Sequence, residues 1–485
     1  MTMRLRELLA GIVDVPTTHD CDIRGLEIDS RHVRPGALFC ALPGVQVDGR
    51  TFIAQAQANG AAAVLCEANG WQAAAQSVPV LSVPGLRSKL GAIADRFYGS
   101  PSRTLVVIGV TGTNGKTTCT QLLTQALDTA ARRAAVVGTL GYGYPDALNN
   151  SLHTTPDAVT LQRLFAEFRA AGTRYVSVEV SSHALDQGRV NAVSFDVAVF
   201  TNLTHDHLDY HGSMRTYGDA KARLFDTPGL RHAIINVDDE FGRELRARIK
   251  GRMSVSTYGL THGDIRAETL ELTHEGLRLR VATPGGRVEF DSQLYGRFNA
   301  ANLLAVLAVL LALDFDLHDA AARLRLARPA PGRLERFGQR PGAPLVVVDY
   351  AHTPDALEQV LLALREHGPR RLWCVFGCGG NRDRAKRPVM GRIAEQLADI
   401  VILTDDNPRN ESPDSIIAEI RAGMRAAPRI MRDRKTAIAM AIAEAAAEDI
   451  VLVAGKGHED YQQIGETRIP YSDRQVVREL LGEAA

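Results

Sequence analysis

The chain is poor in net charge, in long apolar runs, in paired cysteines and in lysine. Its 56 basic and 56 acidic residues cancel over 485 residues. No global field therefore argues for nucleic acid or an anionic membrane, and anionic ligands have to be held by local sites. The longest uninterrupted apolar run covers residues 303–313. It falls well short of the roughly 20 residues that span a bilayer and predicts a buried helix instead. Residues 8–13 form a short apolar run ended by Asp14, without a small-residue cleavage site, which does not fit a signal-peptide core. The cysteines Cys21, Cys40, Cys66, Cys119, Cys374 and Cys378 lack the spacings of a zinc ribbon or a disulfide framework. A reduced, cytoplasmic protein without membrane insertion is the expectation.

Lysine is scarcer still. Only Lys89, Lys116, Lys221, Lys250, Lys386, Lys435 and Lys456 stand against 49 arginines. Arginine cannot replace lysine where chemistry needs a compact ammonium or a nucleophilic amine. Four of the seven, Lys116, Lys221, Lys386 (of GCGGNRDRAKRP) and Lys456 (of AGKGHEDYQ), fall inside motifs.

A chain of this length exceeds one hydrophobic core and predicts two to four domains. Residues 1–100 read as a small α/β unit, with DIRGLEIDSR and GALFCALPG as strands and TFIAQAQANGAAAVLCE as helix then strand. YGSPSR (98–103) is a Gly/Pro/Ser break suited to a linker. The apolar strand TLVVIGV, a glycine-rich turn and the helix TTCTQLLTQALDTAA follow. RYVSVEV, FDVAVFTNL and HAIINV then alternate with helical patterns, which predicts a mostly parallel sheet. Residues 257–291 read as added antiparallel strands. After a second break, RPAPGRLERF (328–337), four strand-then-loop units begin PLVVVDYAH, RLWCVFGCGG, DIVILTDDNP and DIVLVAGKG. Their alternation with helices predicts a doubly wound domain.

VVIGVTGTNGKTT places a glycine loop between a strand and a helix start. Gly112 and Gly115, flanking Thr113 and Asn114, let backbone N–H groups curl around phosphate oxygens at a helix N-terminus. Lys116 can reach the outer phosphates, and Thr117 or Thr118 can offer a hydroxyl to Mg²⁺. Val110 stands where the standard GxxxxGK[ST] loop begins with glycine. Glu179 ends one later strand, and His205, Asp206, His207, Asp209 and His211 follow another, where an α/β sheet assembles its ligand site. His207 and His211 at i, i+4 also fit a zinc site or a solvated loop.

The shortened loop and the motifs that follow it, over essentially the whole chain, resemble the Mur ligase family and its relative folylpolyglutamate synthetase. The resemblance implies three α/β domains: residues 1–100 binding a UDP-muramoyl substrate, 101–331 a P-loop-type ATPase domain, and 332–485 a Rossmann-like amino-acid domain. It implies ATP as co-substrate, Mg²⁺, and amide formation through an acyl phosphate with release of ADP and phosphate. Thr117, Glu179 and His207 would lie near magnesium. Lys221 of GDAKARLF would carry CO₂ as a carbamate, an anionic metal ligand. Asn299 would contact adenine, and Arg333, Asp349 and His352 would approach the nucleotide.

For a UDP-linked muramoyl dipeptide the resemblance implies Ile28, Ser30, Val45, Gln46 and Val47. In the central domain it implies His153, Thr154, Thr155, Ser181, Gln187 and Arg189; His153 stands where relatives often have asparagine. DDNPRN, with Asp406, Asn407, Pro408 and Arg409, marks the relatives that add meso-diaminopimelate, to which Arg382, Gly455 and Glu459 add contacts. A planar arginine suits the distal carboxylate that lysine lacks. A monomer working on small molecules follows. The rivals are a lysine-adding ligase, the folate enzyme, which lacks a separate uridine-binding domain, and a GTP switch protein. No NKxD-type guanine-reading motif occurs in the chain.

Overall fold

A computed structural model describes all residues except 45–46, 71–76, 152, 339, 341 and 484–485. The chain divides into two compact units, Met1–Ser256 and Thr257–Ala485.

The first unit opens with a four-stranded parallel sheet in sequence order, Gly25–Glu27, Ala37–Ala41, Ala63–Glu67 and Val80–Val83. Every residue of the two middle strands is buried, the continuous burial expected when both faces of a parallel sheet are covered. The helix Leu86–Phe97 covers one face. At its Gly91 an added Cβ would fall 2.2 Å from the Asn191 carbonyl oxygen, so only glycine lets the helix approach the central domain there. The expected linker is a packed joint. Pro101–Arg103 forms a 3₁₀ turn with Pro101 and Ser102 buried, and Ser102 Oγ accepts from the Ser194 N–H at 3.1 Å.

Five parallel strands follow, ordered Ala134–Gly138, Tyr175–Glu179, Val106–Thr111, Val197–Phe200, His232–Asn236. The glycine loop thus leaves the central strand, between those that end at Glu179 and Phe200. Gly141–Tyr144 and Ala147–Asn149 add an antiparallel edge. The helix after the loop, Lys116–Leu127, stops short of the expected Ala131. Asp128 is extended there, and its carboxylate accepts from Arg133 Nε and the Ala134 N–H. This local bonding competes with further helix.

The second unit begins with the expected antiparallel strands, Ile265–Thr273, Gly276–Thr283 and Gly286–Ser292. The helix Arg297–Ala312 is buried nearly all round, as its apolar run predicts. A six-stranded sheet follows, ordered Glu335–Phe337, Leu345–Asp349, Ile450–Ala454, Leu372–Phe376, Ile400–Leu403, Arg429–Ile430. It is parallel except for Glu335–Phe337, so the second expected break ends as an edge strand. Cores lie on both faces of this sheet. The short hairpin Tyr461–Ile464 and Thr467–Pro470 was not expected.

Arg434 and Asp473 pair inside this domain with both side chains fully buried, at 2.8 and 2.7 Å, and Arg434 also donates to the Ala454 carbonyl. Removing one partner strands a buried charge. Asp473→Ala is expected to cost about 3–5 kcal/mol, read as a lower urea midpoint with an unchanged slope. A midpoint within error of the parent chain's would show that the pair contributes little.

Candidate functional site

Gly112 has φ +151° and Gly115 φ +86°. A Cβ on Gly112 would fall 1.9 Å from Thr201 Oγ1, so the loop hugs the neighbouring strand end. Asn202 Oδ1 accepts from the Asn114 N–H at 2.9 Å, and Thr201 Oγ1 donates to the Asn114 carbonyl at 2.6 Å. Thr113 Oγ1 lies 3.3 Å from the Tyr217 hydroxyl. Lys116 Nζ curls back to the Gly112 and Thr113 carbonyls at 2.9 and 2.8 Å. Thr118 is half-buried in the first turn of the following helix.

Glu179 is 1% exposed. Its Oε2 accepts from Thr117 Oγ1 at 2.9 Å and Thr139 Oγ1 at 3.0 Å, and its Oε1 from the Thr139 N–H at 2.9 Å. Gly138 makes room, since a Cβ there would fall 2.2 Å from Oε1. Lys221 is also 1% exposed, with Nζ donating to the Gly112 carbonyl at 2.8 Å and lying over the Tyr217 ring at 4.2 Å. Burial, reinforced by the Lys116 charge, pushes its pKa well below the usual lysine range.

His207 sits in the left-handed region at φ +52°, half exposed, with its ring 4.8 Å from that of His183. His211 Nε2 meets Ser182 Oγ at 3.0 Å. Burial lowers the pKa of His183 and His211. Among the described residues no group of three or more His, Cys, Asp or Glu side chains is placed to hold a metal ion. Tyr217 and His183 belong to this cluster and were missed. Tyr217 stands four residues before Lys221, on the same helix face, and that spacing was the available signal.

Beside Glu179 the other polar residues converge. Thr155 Oγ1 donates to the Glu179 carbonyl at 2.7 Å and accepts from the Ser181 N–H at 3.1 Å. Thr154 Oγ1 is 3.0 Å from Thr139 Oγ1. Arg189 donates to Gln187 Oε1 at 3.0 and 2.7 Å and to the Thr155 carbonyl at 2.9 Å. His153 is exposed nearby in sequence. In the N-terminal α/β region, Ser30 opens a 3₁₀ turn and is buried with Oγ donating to Gln55 Oε1 at 2.8 Å, Ile28 is half-buried and Val47 is exposed. Val45 and Gln46 lie outside the described residues.

In the second unit Asn299 is buried, donating to the Tyr295 carbonyl at 2.8 Å and accepting from Asn302 at 3.0 Å. Arg333 lies over the Tyr350 ring at 4.9 Å, with its Nε buried and without a hydrogen-bond partner among the described residues. Asp349 accepts from the Leu334 and Ala351 N–H groups at 2.8 Å each, and burial raises its pKa. His352 Nδ1 meets the Tyr350 carbonyl at 2.8 Å.

The DDNPRN segment packs against two others. Arg409 has φ +50° and donates from Nη1 to the Gly380 carbonyl at 2.8 Å. A Cβ on Gly379 would lie 2.8 Å from Arg409 Nη1 and 3.7 Å from Arg382 Cγ, so both arginines lie close to that glycine. Asn407 Nδ2 donates to Glu459 Oε2 at 3.0 Å. Gly455, at φ +118°, faces Asp406, whose Oδ2 would be 2.6 Å from a Cβ there. Asp406, Asn407 and Pro408 are buried. Arg387, fully buried, holds Glu411, Glu419 and the Gly379 carbonyl. It too escaped the sequence reading, because its partners lie 24 and 32 residues away.

Family models place a Mur ligase family, catalytic domain over residues 22–98, a Mur ligase middle domain over 110–310 and a Mur ligase, glutamate ligase domain over 332–457. A UDP-N-acetylmuramoyl-L-alanyl-D-glutamate–2,6-diaminopimelate ligase of Chromobacterium violaceum is 53% identical over 95% of this chain and 94% of its own. The Pseudomonas aeruginosa protein of the same name is 52% identical over 94% of each chain. A solved structure bearing that name aligns over 99% of both chains with a TM-score of 0.75 and 38% identity. A Mycobacterium tuberculosis folylpolyglutamate synthase, at 20% identity and a TM-score of 0.62 over 81% of this chain, shares the fold. With these matches spanning all three α/β domains, the chain belongs to the Mur ligase family, in the branch of its diaminopimelate-named relatives.

Proposed function

We propose that this chain is an ATP-dependent ligase that joins meso-diaminopimelate to UDP-N-acetylmuramoyl-L-alanyl-D-glutamate. The observation that carries the reading is 53% identity over 95% of the chain to a relative of that name. The DNPR segment, with Arg409 beside Arg382, supports the choice of amino acid. The reading assigns residues 1–100 to the UDP-muramoyl substrate, 101–331 to ATP and 332–485 to the amino acid, in a chain acting as a monomer. No helix among the described residues is long and apolar enough to cross a membrane.

The donor set fits magnesium. One buried carboxylate, Glu179, meets one hydroxyl, Thr117, beside a loop shaped for phosphate, and Mg²⁺ usually takes one or two carboxylates, phosphate oxygens and waters. Thr117 and Glu179 would hold one ion; His207 and a carbamylated Lys221 would hold a second. When bound, the metal would offset negative charge between the phosphates and the incoming carboxylate.

The chain's own residues do the positioning. Backbone N–H groups of residues 112–118 cradle the phosphates, and the Lys116 ammonium moves from its loop carbonyls to the γ-phosphate. Asn299, Arg333, Asp349 and His352 hold the rest of the nucleotide. Arg189, Gln187, Thr154, Thr155, Ser181 and His153 orient the muramoyl dipeptide, while Ile28, Ser30, Val45, Gln46 and Val47 hold its uridine end. The D-glutamate carboxylate attacks the γ-phosphorus, the bond to ADP breaks, and an acyl phosphate forms. The diaminopimelate amine then attacks the acyl carbon, loses a proton, and phosphate leaves as the amide forms. Each turnover should yield one ADP and one phosphate, and only with both dipeptide and amino acid present. Appearance of AMP and pyrophosphate would replace this scheme with adenylate chemistry.

A further inference from the structure

Lys456 is fully buried in the C-terminal domain, yet it makes none of the contacts proposed above. An ammonium has three N–H donors, and all three are engaged. Nζ donates to Asn407 Oδ1 at 2.9 Å, to Glu459 Oε2 at 3.3 Å and to the Tyr461 carbonyl at 2.8 Å. Asp406 Oδ1 is 3.7 Å away. A lysine so saturated and so buried is neither a nucleophile nor a contact for a ligand. Its acceptors are informative, because two of them are side chains assigned to the amino-acid site and the third begins the hairpin Tyr461–Ile464.

That hairpin is itself tied to the same segment. The Gln463 N–H donates to Asn407 Oδ1 at 2.9 Å, the Arg409 N–H to the Gln463 carbonyl at 3.0 Å, and the Gly465 N–H to the Arg409 carbonyl at 2.8 Å. Both backbone groups of Arg409 are therefore pinned by the hairpin, at φ +50°, a conformation a non-glycine residue holds only when its surroundings impose it. Asn407 Oδ1 is shared between Lys456 and the hairpin, and Asn407 Nδ2 reaches Glu459 Oε2. One ammonium thus joins three pieces of chain: 406–409, 455–459 and the hairpin.

We propose that Lys456 is a positioning residue for the amino-acid site, cross-linking Asn407, Glu459 and the 461–464 strand so that Arg409 and Glu459 are held ready for the ligand. This rests on the reading of Arg409 and Glu459 as ligands of the amino acid. Arginine cannot replace it, since a planar guanidinium does not match three acceptors converging on one point.

The test is steady-state kinetics of Lys456→Met and Lys456→Gln, the second keeping a polar head should the first fold poorly. Each should raise the KM for diaminopimelate roughly 30-fold, from the loss of hydrogen bonds to a charged group. KM for ATP and for the dipeptide should stay within about twofold, and kcat at saturating diaminopimelate should fall less than about threefold, as for lost ground-state binding. Combined with Arg409→Ala, the loss should be well short of the product of the single losses, since the residues act as one unit. An unchanged diaminopimelate KM overturns the proposal. Equal rises in all three KM values with a fallen melting temperature overturn it too, as does loss of soluble protein in both variants, because either makes the lysine a general strut. Arg409→Ala alone, with Lys456 intact, tests the parent reading separately; its failure would leave diaminopimelate use unchanged in that single variant.

Discussion

Lys221→Ala is expected to lower ligase turnover by roughly 10³-fold or more, the scale of removing a charge-stabilising group from a preorganised site. Lys221→Arg should be as inactive. The side chain is 1% exposed, bonded to the Gly112 carbonyl of the phosphate loop and laid over Tyr217. As an ammonium it would add a second cation beside Lys116, and a cation cannot ligate magnesium. Burial instead favours the neutral amine, the form that attacks CO₂. The N–C bond would form, the nitrogen would lose one proton, and the neutral amine would become a −1 carbamate able to pair with Lys116. A guanidinium stays cationic and forms no such adduct. The check is paired: turnover of both variants, and a carbamate signal in carbon NMR after equilibration with ¹³C-bicarbonate. Full activity in Lys221→Arg, or a parent chain with no carbamate signal, would reject the assignment.

The parts of this fold legible in the sequence are those whose signals are local or periodic. The strand Val106–Thr111 is apolar throughout and ends in a glycine loop, so element, turn and phosphate chemistry are read together. Arg297–Ala312 announces its burial by an unbroken apolar run. The hairpin Tyr461–Ile464 and Thr467–Pro470 is different. No residue in either strand is buried, so hydrophobic periodicity carries no trace of it. Its only cue is Gly465, at φ +58°, starting the two-residue turn to Thr467.

The candidate site divides in the same way. Gly112, Lys116, Glu179 and Arg409 stand in motifs, whereas Arg387 and Lys456 take their structural roles from partners distant in sequence. Lys456 meets Asn407 across 49 residues, and only the sheet brings them together, through the ends of Ile400–Leu403 and Ile450–Ala454. Buried charges are legible once their partners are known, and sequence spacing does not supply partners for long-range pairs.

Arg409→Ala is expected to reduce kcat/KM for meso-diaminopimelate by roughly 10³-fold, the penalty for leaving a charged group unpaired in a site built to bind it. ATP and dipeptide KM values should be unaffected. Diaminopimelate is lysine with a second carboxylate on its far carbon, so discrimination has to act at that end. Arg409 offers the planar donor fork suited to a carboxylate, and among the described residues only its Nη1 donates a side-chain hydrogen bond, to the Gly380 carbonyl. Gly379 keeps the path open, since a Cβ there would press on Nη1 at 2.8 Å. Arg382 lies beside the same glycine and adds a second positive charge. L-Lysine would bring its terminal ammonium toward two guanidinium groups, so the parent chain should use it poorly. In Arg409→Ala that repulsion is relieved while the carboxylate loses its partner, and the diaminopimelate-to-lysine preference should collapse from both directions. The measurement is kcat/KM for both amino acids in both chains. A parent chain that prefers L-lysine, or an Arg409→Ala chain with unchanged diaminopimelate turnover, would transfer the assignment to the lysine-adding alternative.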